Sequence, residues 1–307
     1  MSKETYNILI SGASSPIGMG LIRLLEGQGH SIVGLTRNKE KLKEFKDITL
    51  EKLDFSKLFK QKFCVDIFIH IAAETPGAEL DLSPEKIARY QAVNIDGTKH
   101  LLNALNKEQI KQIIYISSHT VEDLKGKNGE IKDSYAHSKA VAEKIIEQYD
   151  CPWTILRPTG VISETFWKPF LKGLSNQSEI VLKGTQSALR QYVYVGDVSQ
   201  AIFNSIANSA TYKEKYFIGS KKAFSEMEMY QTIKRITGYQ FKIKTESQFM
   251  VLLKALIKDL LTFKLGSPYS SSKRNRFAFR NFDVDIKNTS DLNYQPLDLE
   301  QTIQKIL

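Results

Sequence analysis

Tyr135 and Lys139 stand four residues apart in YAHSKAVAEKIIEQY, a segment that reads as a helix. One turn of helix puts both side chains on one face, so an ammonium sits beside a phenol. A tyrosine ordinarily gives up its proton at a pH of about 10. A neighbouring cation that favours the phenolate brings that value towards neutrality, where general acid-base work is most efficient. Any helix can carry Tyr and Lys at this spacing, so the chemistry depends on the elements that would bring a reactant to the pair.

Those elements begin at the start of the chain. Tyr6 to Ser11 is an apolar, β-branched run suited to a strand buried on both faces, and a turn then leads into a helix starting near Ile17. Gly12 and Gly18 hold the first and last places of a G-x-x-G-x-x-G loop. The first permits the tight turn and the last permits close helix packing, while the helix N-terminus offers N–H groups and a positive dipole end to a pyrophosphate. Ser15 fills the middle place, where its Cβ restricts how near the backbone comes to the phosphates. The second strand, His30 to Thr36, ends in Arg37, with Lys39 close behind. An acidic residue there would accept from the ribose 2′-OH of NAD, whereas an arginine accommodates the 2′-phosphate of NADP. NADP(H) is therefore favoured, with NAD(H) possible. NKEKLKEFK also reads as a solvated helix, to whose surface Arg37 could belong.

Ten stretches carry a family resemblance in order: SGASSPIG, LTRN, LDFS, HIAAET, NIDGTKHLLNAL, IIYISSHTVED, YAHSKAVAEKII, WTILRPTGV, RQYVYVGDVSQAI and IKNTSDLNYQPLDLEQTIQKIL. On these the chain resembles an extended short-chain dehydrogenase/reductase of the NAD-dependent epimerase/dehydratase family. The resemblance implies that Tyr135 is the general acid or base, that Lys139 binds the nicotinamide ribose and holds the tyrosine's pKa down, and that Ser118 hydrogen-bonds the reacting oxygen. Ser117 is adjacent, but alternation along a strand sends neighbours to opposite faces, so only one can serve. The same resemblance puts Gly12, Ser14, Ser15, Pro16, Ile17 and Gly18 in the dinucleotide loop. Asp54 would accept from the adenine amino group with Phe55 as its backbone neighbour, Ala72 and Ala73 would let the dinucleotide pass, and Pro158 would border it. Asn94, in a helix expected over Pro84 to Asn106, would support the tyrosine from behind. A helix-bending polar residue with a backbone partner is the blander account of it.

Composition agrees. At 307 residues the chain exceeds the usual size of a single core, so a larger and a smaller unit are expected. Alternating strands and helices over residues 1–160 imply an α/β Rossmann fold, a doubly wound parallel sheet with helices on both faces. Residues 161–307 are expected to form mainly a smaller, discontinuous substrate domain, with strands at Tyr192–Val195 and Lys215–Gly219 returning to the sheet. The net charge of +9 suits an anionic small substrate by steering, and no basic stripe interleaved with aromatics suggests nucleic acid. Cys64 and Cys151 lack metal-type spacing, as do the five histidines, so no metal is expected. MSKETYN has no apolar signal-peptide core and no stretch approaches a membrane span, which makes a cytoplasmic location the simplest expectation.

Beyond Pro158 the alternation is less regular, and in the family this region closes over the substrate. The resemblance makes Arg190, just before a Tyr-Val pair, the ligand of a substrate diphosphate, for which a planar fork of donors is suited. Asp197 with Gln200 fits a capping box. SQFMVLLKALIKDLLTFKL has apolar residues at helical spacing with lysines between; a surface helix covering the substrate site is favoured over one lying on an anionic membrane. Members of the family that dehydrate a sugar carry an Asp-Glu pair after the catalytic Thr or Ser. Here Ser118 is followed by His119 and Thr120, which disfavours a 4,6-dehydratase. The expectation is NADPH-dependent reduction of a keto-sugar nucleotide with Tyr135 as acid. The alternatives are NAD-dependent epimerisation of a sugar nucleotide, a noncatalytic NADP sensor and a reductase of an apolar ketone or aldehyde. A homodimer through the helices at 84–106 and 135–149 is what similar proteins suggest.

Overall fold

A computed structural model of the chain describes residues 4–52, 62–76, 83–123, 134–183, 188–262, 281, 283–286 and 289–307. The chain divides into two compact units, the first built from Met1–Thr159, Val195–Ile218 and Asp285–Gln295, the second from Gly160–Tyr194, Gly219–Val284 and Pro296–Leu307.

In the first unit short runs rich in Ile, Leu, Val and Phe form β1 (Asn7–Ser11), β2 (Ser31–Thr36), β3 (Ile48–Lys52), β4 (Ile67–His70), β5 (Gln112–Ile116), β6 (Trp153–Pro158) and β11 (Glu214–Ile218). They make one sheet in the order β11-β6-β5-β4-β1-β2-β3, parallel throughout. Strands buried on both faces read as continuous apolar runs, and β5 is buried at all five positions. The order reverses between β1 and β4, which opens a crevice at the carboxyl ends of those strands. Helices α1 (Pro16–Leu25), α2 (Pro84–Tyr90), α3 (Gly97–Asn103), α4 (Thr120–Asp123), α5 (Ser134–Glu147) and α7 (Val195–Ser205) complete the unit. Helix α1 lies so close to α7 that a Cβ on Gly20 would come 2.5 Å from Ser199 Oγ, which itself donates to Ile17 O at 3.0 Å.

The single helix expected over Pro84–Asn106 is three pieces: between α2 and α3, residues Gln91–Asp96 wind as a π-helix. The solvated helix expected at NKEKLKEFK is only a 3₁₀ turn, Lys39–Leu42. Leu42 and Phe45 are its only large apolar residues, too few for the stripe that would hold a full helix to the sheet.

The second unit contains β7 (Gly160–Ile162), β8 (Glu179–Lys183), β9 (Leu189–Arg190), β10 (Tyr192–Tyr194), β12 (Phe224–Ser225) and β13 (Lys242–Glu246), with α6 (Glu164–Ser175), α8 (Glu226–Thr237), α9 (Gln248–Leu261) and α10 (Leu299–Ile306). Its core gathers Leu171, Leu174, Ile233, Phe241, Ile303 and Ile306. Of the two strands expected to return to the large sheet, only β11 does so. Strand β10 pairs with β7 instead, because Tyr192 and Tyr194 pack into the second core. Asp197 lies inside the first turn of α7 rather than before it, and Gln200 donates to Asn204, so no capping box forms there.

Candidate active site

The loops that follow β1, β4 and β5 carry Gly12 to Gly18, Ala72 with Ala73, and Ser118. Gly12 follows β1 with φ +76°, and a Cβ on it would lie 2.8 Å from Ala72 N. Gly18 is as tightly held: its Cβ would meet Gly12 O at 2.5 Å. Both glycines are therefore required by close backbone approach, whatever binds there. Ser15, the residue expected to restrict the loop, is the N-cap of α1, and its Oγ accepts from Gly18 N–H at 3.0 Å. With Pro16 lacking an N–H, Ile17 contributes the remaining early N–H of this helix end. Ser14 is tied to the end of β2, where Thr36 Oγ1 donates to its hydroxyl at 2.6 Å, and Arg37 follows in an exposed position. Asp54 and Phe55 lie outside the described residues.

Helix α5 carries Tyr135 and Lys139 on one face, with Glu143 a further turn along. Lys139 is fully buried, donates from Nζ to Ile116 O at 2.6 Å, and lies 4.3 Å from the centroid of the Tyr115 ring. Burial pulls its pKa down to about 7, against the opposing pull of Glu143. Tyr135 is half-buried and its ring stands 5.7 Å from that of Tyr90.

Alternation past β5 separates the two serines. Ser117 donates to Glu143, whose carboxylate is gripped by Arg157 through Nε at 2.9 Å and Nη2 at 2.6 Å; Arg157 reaches Glu122 at 3.0 Å with Nη1. Ser118 accepts from the N–H of Thr120 at 3.3 Å and its hydroxyl at 3.0 Å, which leaves the serine proton free to be donated. Pro158, at the end of β6, accepts from His119 N–H at 3.1 Å.

Asn94 sits in the π-helical turn and serves three partners. It accepts from Glu74 N–H at 2.7 Å, and donates to Glu74 O at 3.0 Å and to Ser138 Oγ at 2.9 Å; Ser138 in turn donates to Tyr135 O at 2.7 Å. Asn94 is thus linked through Ser138 to the backbone of Tyr135, and its backbone partners are those of Glu74.

His70, one of the five histidines without metal-type spacing, has a specific place in the fold. Thr98 donates to Asn94 O at 2.6 Å, so its oxygen accepts from His70 Nε2 at 2.8 Å. His70 Nδ1 then accepts from Ser11 Oγ at 2.7 Å, and Ser11 accepts from Ala72 N–H at 3.3 Å. The tautomer follows from this chain of donors. Burial, reinforced by the Lys139 charge, lowers the His70 pKa to about 3, so it stays neutral. No sequence signal marks this chain, because its bonded partners lie up to 61 residues apart. Arg190 belongs to the second unit, half-buried in β9, and donates from Nη1 to Leu189 O at 3.3 Å.

The sequence profile of the NAD dependent epimerase/dehydratase family matches residues 8–219. The chain belongs to that family. Its sequence is 28% identical to a cattle dTDP-D-glucose 4,6-dehydratase over 74% of this chain, a match that spans 66% of that protein's length, just under two thirds. It is 26% identical to the N-acetyl-alpha-D-glucosaminyl-diphospho-ditrans,octacis-undecaprenol 4-epimerase of Escherichia coli O157:H7, over 98% of this chain and 94% of that one. Among solved structures, the UDP-glucuronic acid 4-epimerase of Bacillus cereus in complex with NAD has the same fold, with a TM-score of 0.73 at 19% identity over 98% of this chain and 96% of that one.

Proposed function

We propose that this chain moves hydride between a nicotinamide dinucleotide and a ring carbinol of a diphosphate-linked sugar, with epimerisation at that carbon as the net reaction. The observation that carries the proposal is Lys139, buried one helical turn from Tyr135, hydrogen-bonded to the end of β5 and poised with a pKa of about 7. A lysine is costly to bury, and a charge beside a phenol is what an acid-base tyrosine needs.

The residues fit a dinucleotide. Gly12 and Gly18 keep the loop free of side chains, the N-terminus of α1 faces the crevice, and Ala72 and Ala73 leave room after β4. A bound nicotinamide would supply reversible hydride transfer. Tyr135 Oη would take the proton of the sugar hydroxyl as the carbon is oxidised and return it when the carbon is reduced on either face. Lys139 favours the phenolate form. Ser118 donates its free proton to the same oxygen. Asn94 and His70 hold Ser138, Ala72 and the loop around them in register.

Elimination of water needs a further acid and base beside Ser118. His119 there is tied to Pro158 O through Nδ1 at 3.2 Å, with its pKa lowered by burial, and Glu122 is paired with Arg157. Epimerisation is therefore preferred to dehydration, although dehydratases are among the relatives. Arg190 is proposed to bind the substrate's diphosphate, whether it is borne by a nucleoside or, as in the name of the Escherichia coli relative, by a polyprenol. Arg37, exposed at the end of β2, supports a second reading in which NADPH is consumed to reduce a keto-sugar.

The test is direct. Purified protein is denatured, released nucleotide is identified by mass, and the native protein is incubated without added cofactor with UDP-linked and polyprenyl-diphosphate-linked N-acetylglucosamine. Bound NAD(P) and a 4-epimer that Tyr135→Phe fails to make support epimerisation. An empty protein that oxidises NADPH only in the presence of a keto-sugar overturns it in favour of reduction.

A further inference from the structure

Helix α9 begins at an N-cap, Ser247, whose Oγ accepts from Met250 N–H at 3.3 Å, and it is apolar at most of its positions. Only Val251, Ala255 and Asp259 are buried. Seven large apolar side chains on it are exposed: Phe249, Met250, Leu253, Leu256, Ile257, Leu260 and Leu261, with Phe249 at 71%, Leu260 at 62% and Leu261 at 74%. At about 100° per residue these seven cover one arc of roughly 140°. Lys254 and Lys258 follow along one side of that arc. A solvent-facing helix ordinarily turns such an arc inward, so an outward one marks a surface that something covers.

Charge says what that is. From Gln248 to Phe282 the sequence holds seven Lys and Arg residues (254, 258, 264, 273, 274, 276 and 280) and one acid, Asp259, a net +6 of the chain's +9. An apolar arc flanked on one side by Lys258 and by Lys254, the latter paired with Glu246, within the most basic stretch of a chain suits an anionic bilayer surface, where apolar burial and phosphate attraction act together. A second copy of this chain would bring like charges of the same stretch together, which opposes self-association through this face. None of the helices among the described residues is long and apolar enough to cross a membrane, so α9 would lie in the interface plane.

We infer that α9 is a membrane-surface docking helix, which lays Phe249, Leu253, Leu256 and Leu260 into an anionic lipid interface. The inference is independent of the reaction proposed above, since it concerns only an exposed face of the second unit.

The full chain is sedimented with vesicles of phosphatidylglycerol and phosphatidylcholine and, separately, of phosphatidylcholine alone. The triple variant Phe249→Ser, Leu260→Ser, Leu261→Ser changes only exposed side chains, and unchanged melting reports that it folds. Strong, salt-sensitive binding of the wild type to the anionic vesicles, and about 100-fold weaker partition of the triple variant, is the expected result. A Lys258→Glu variant should lose affinity for anionic vesicles while its weak binding to neutral ones stays the same. Absence of vesicle binding, equal binding by the triple variant, or a wild-type dimer that the triple variant converts to monomer would each overturn the inference, the last in favour of a second copy on this face.

Discussion

At the scale of single residues the site sets chemistry against stability. Lys139 is buried with a carbonyl and a ring as its neighbours, so its charge is costly in the folded state. Lys139→Met should therefore melt higher than the wild type, by the equivalent of about 1–4 kcal/mol, while its kcat falls by about 10²–10⁴-fold. The sign with pH follows from the lowered folded value. Below about 7 the lysine is protonated in both folded and unfolded chains and its full cost is present. From about 7 towards the ordinary lysine value of 10.5 only the unfolded chain holds the proton, so wild-type stability rises with pH and the gap to Lys139→Met closes. A gap that stays constant across that range in paired melts would deny the lysine its shifted pKa. The adjacent serines should part company as well. Ser118→Ala is expected to lower kcat about 100-fold with little change in melting. Ser117→Ala, which strips a hydrogen bond from the buried Glu143 carboxylate, should cost roughly 1.5–3 kcal/mol of stability and leave kcat within a few-fold of wild type. The reverse pattern would exchange their roles.

At the scale of elements, the strand-loop-helix at the start of the chain could be read in the sequence because every part of it is local. The buried strand Asn7–Ser11, the glycines of the loop and the proline at the first turn of α1 lie within 20 residues of one another. What could not be read is the π-helical turn Gln91–Asp96. Its cause lies elsewhere: Asn94 must satisfy Glu74 N–H and C=O, 20 residues earlier, and Ser138, 44 residues later. A periodic pattern records which face of a helix is apolar, and it does not record where one extra residue is accommodated between α2 and α3. The same holds for Ser15, whose Cβ could be noted in the sequence but whose capping bond to Gly18 belongs to the folded loop. Asn94→Ala leaves two buried backbone groups of Glu74 unsatisfied and should destabilise the protein by roughly 2–4 kcal/mol, measured by denaturant titration. It should also lower kcat, since Ser138 and with it the Tyr135 turn lose a partner. Asn94→Asp keeps the acceptor for Glu74 N–H but sets a buried carboxylate against Glu74 O in place of the donor, so it should destabilise at least as much as Asn94→Ala. If Asn94→Ala melts like the wild type, the π-turn is held by packing alone.

At the scale of the whole molecule the chain crosses between its two units repeatedly, and length and composition do not locate the crossings. Both Lys215–Gly219 and Tyr192–Val195 are apolar enough to be expected in the sheet, yet Glu214–Ile218 joins it and Tyr192–Tyr194 goes to the other core. Only the partner strand distinguishes them. Each core is nonetheless closed: the cluster around Phe68, Ile113 and Ile155 draws wholly on the first unit, and the cluster around Phe241, Ile233 and Ile303 wholly on the second. Phe241 is fully buried and touches no residue proposed to hold the dinucleotide. Phe241→Ala removes a ring from the second core and should cost about 3–5 kcal/mol there. If the dinucleotide is held by the first unit, binding of NADH or NADPH, followed by fluorescence, should stay within about two-fold of wild type, a difference under about 0.5 kcal/mol. Turnover of a sugar substrate that needs Arg190, by contrast, should collapse with the unit that carries it. Loss of nucleotide binding in step with the melting of the second core would mean that the two units fold as one, and the division of labour between them would fail with it.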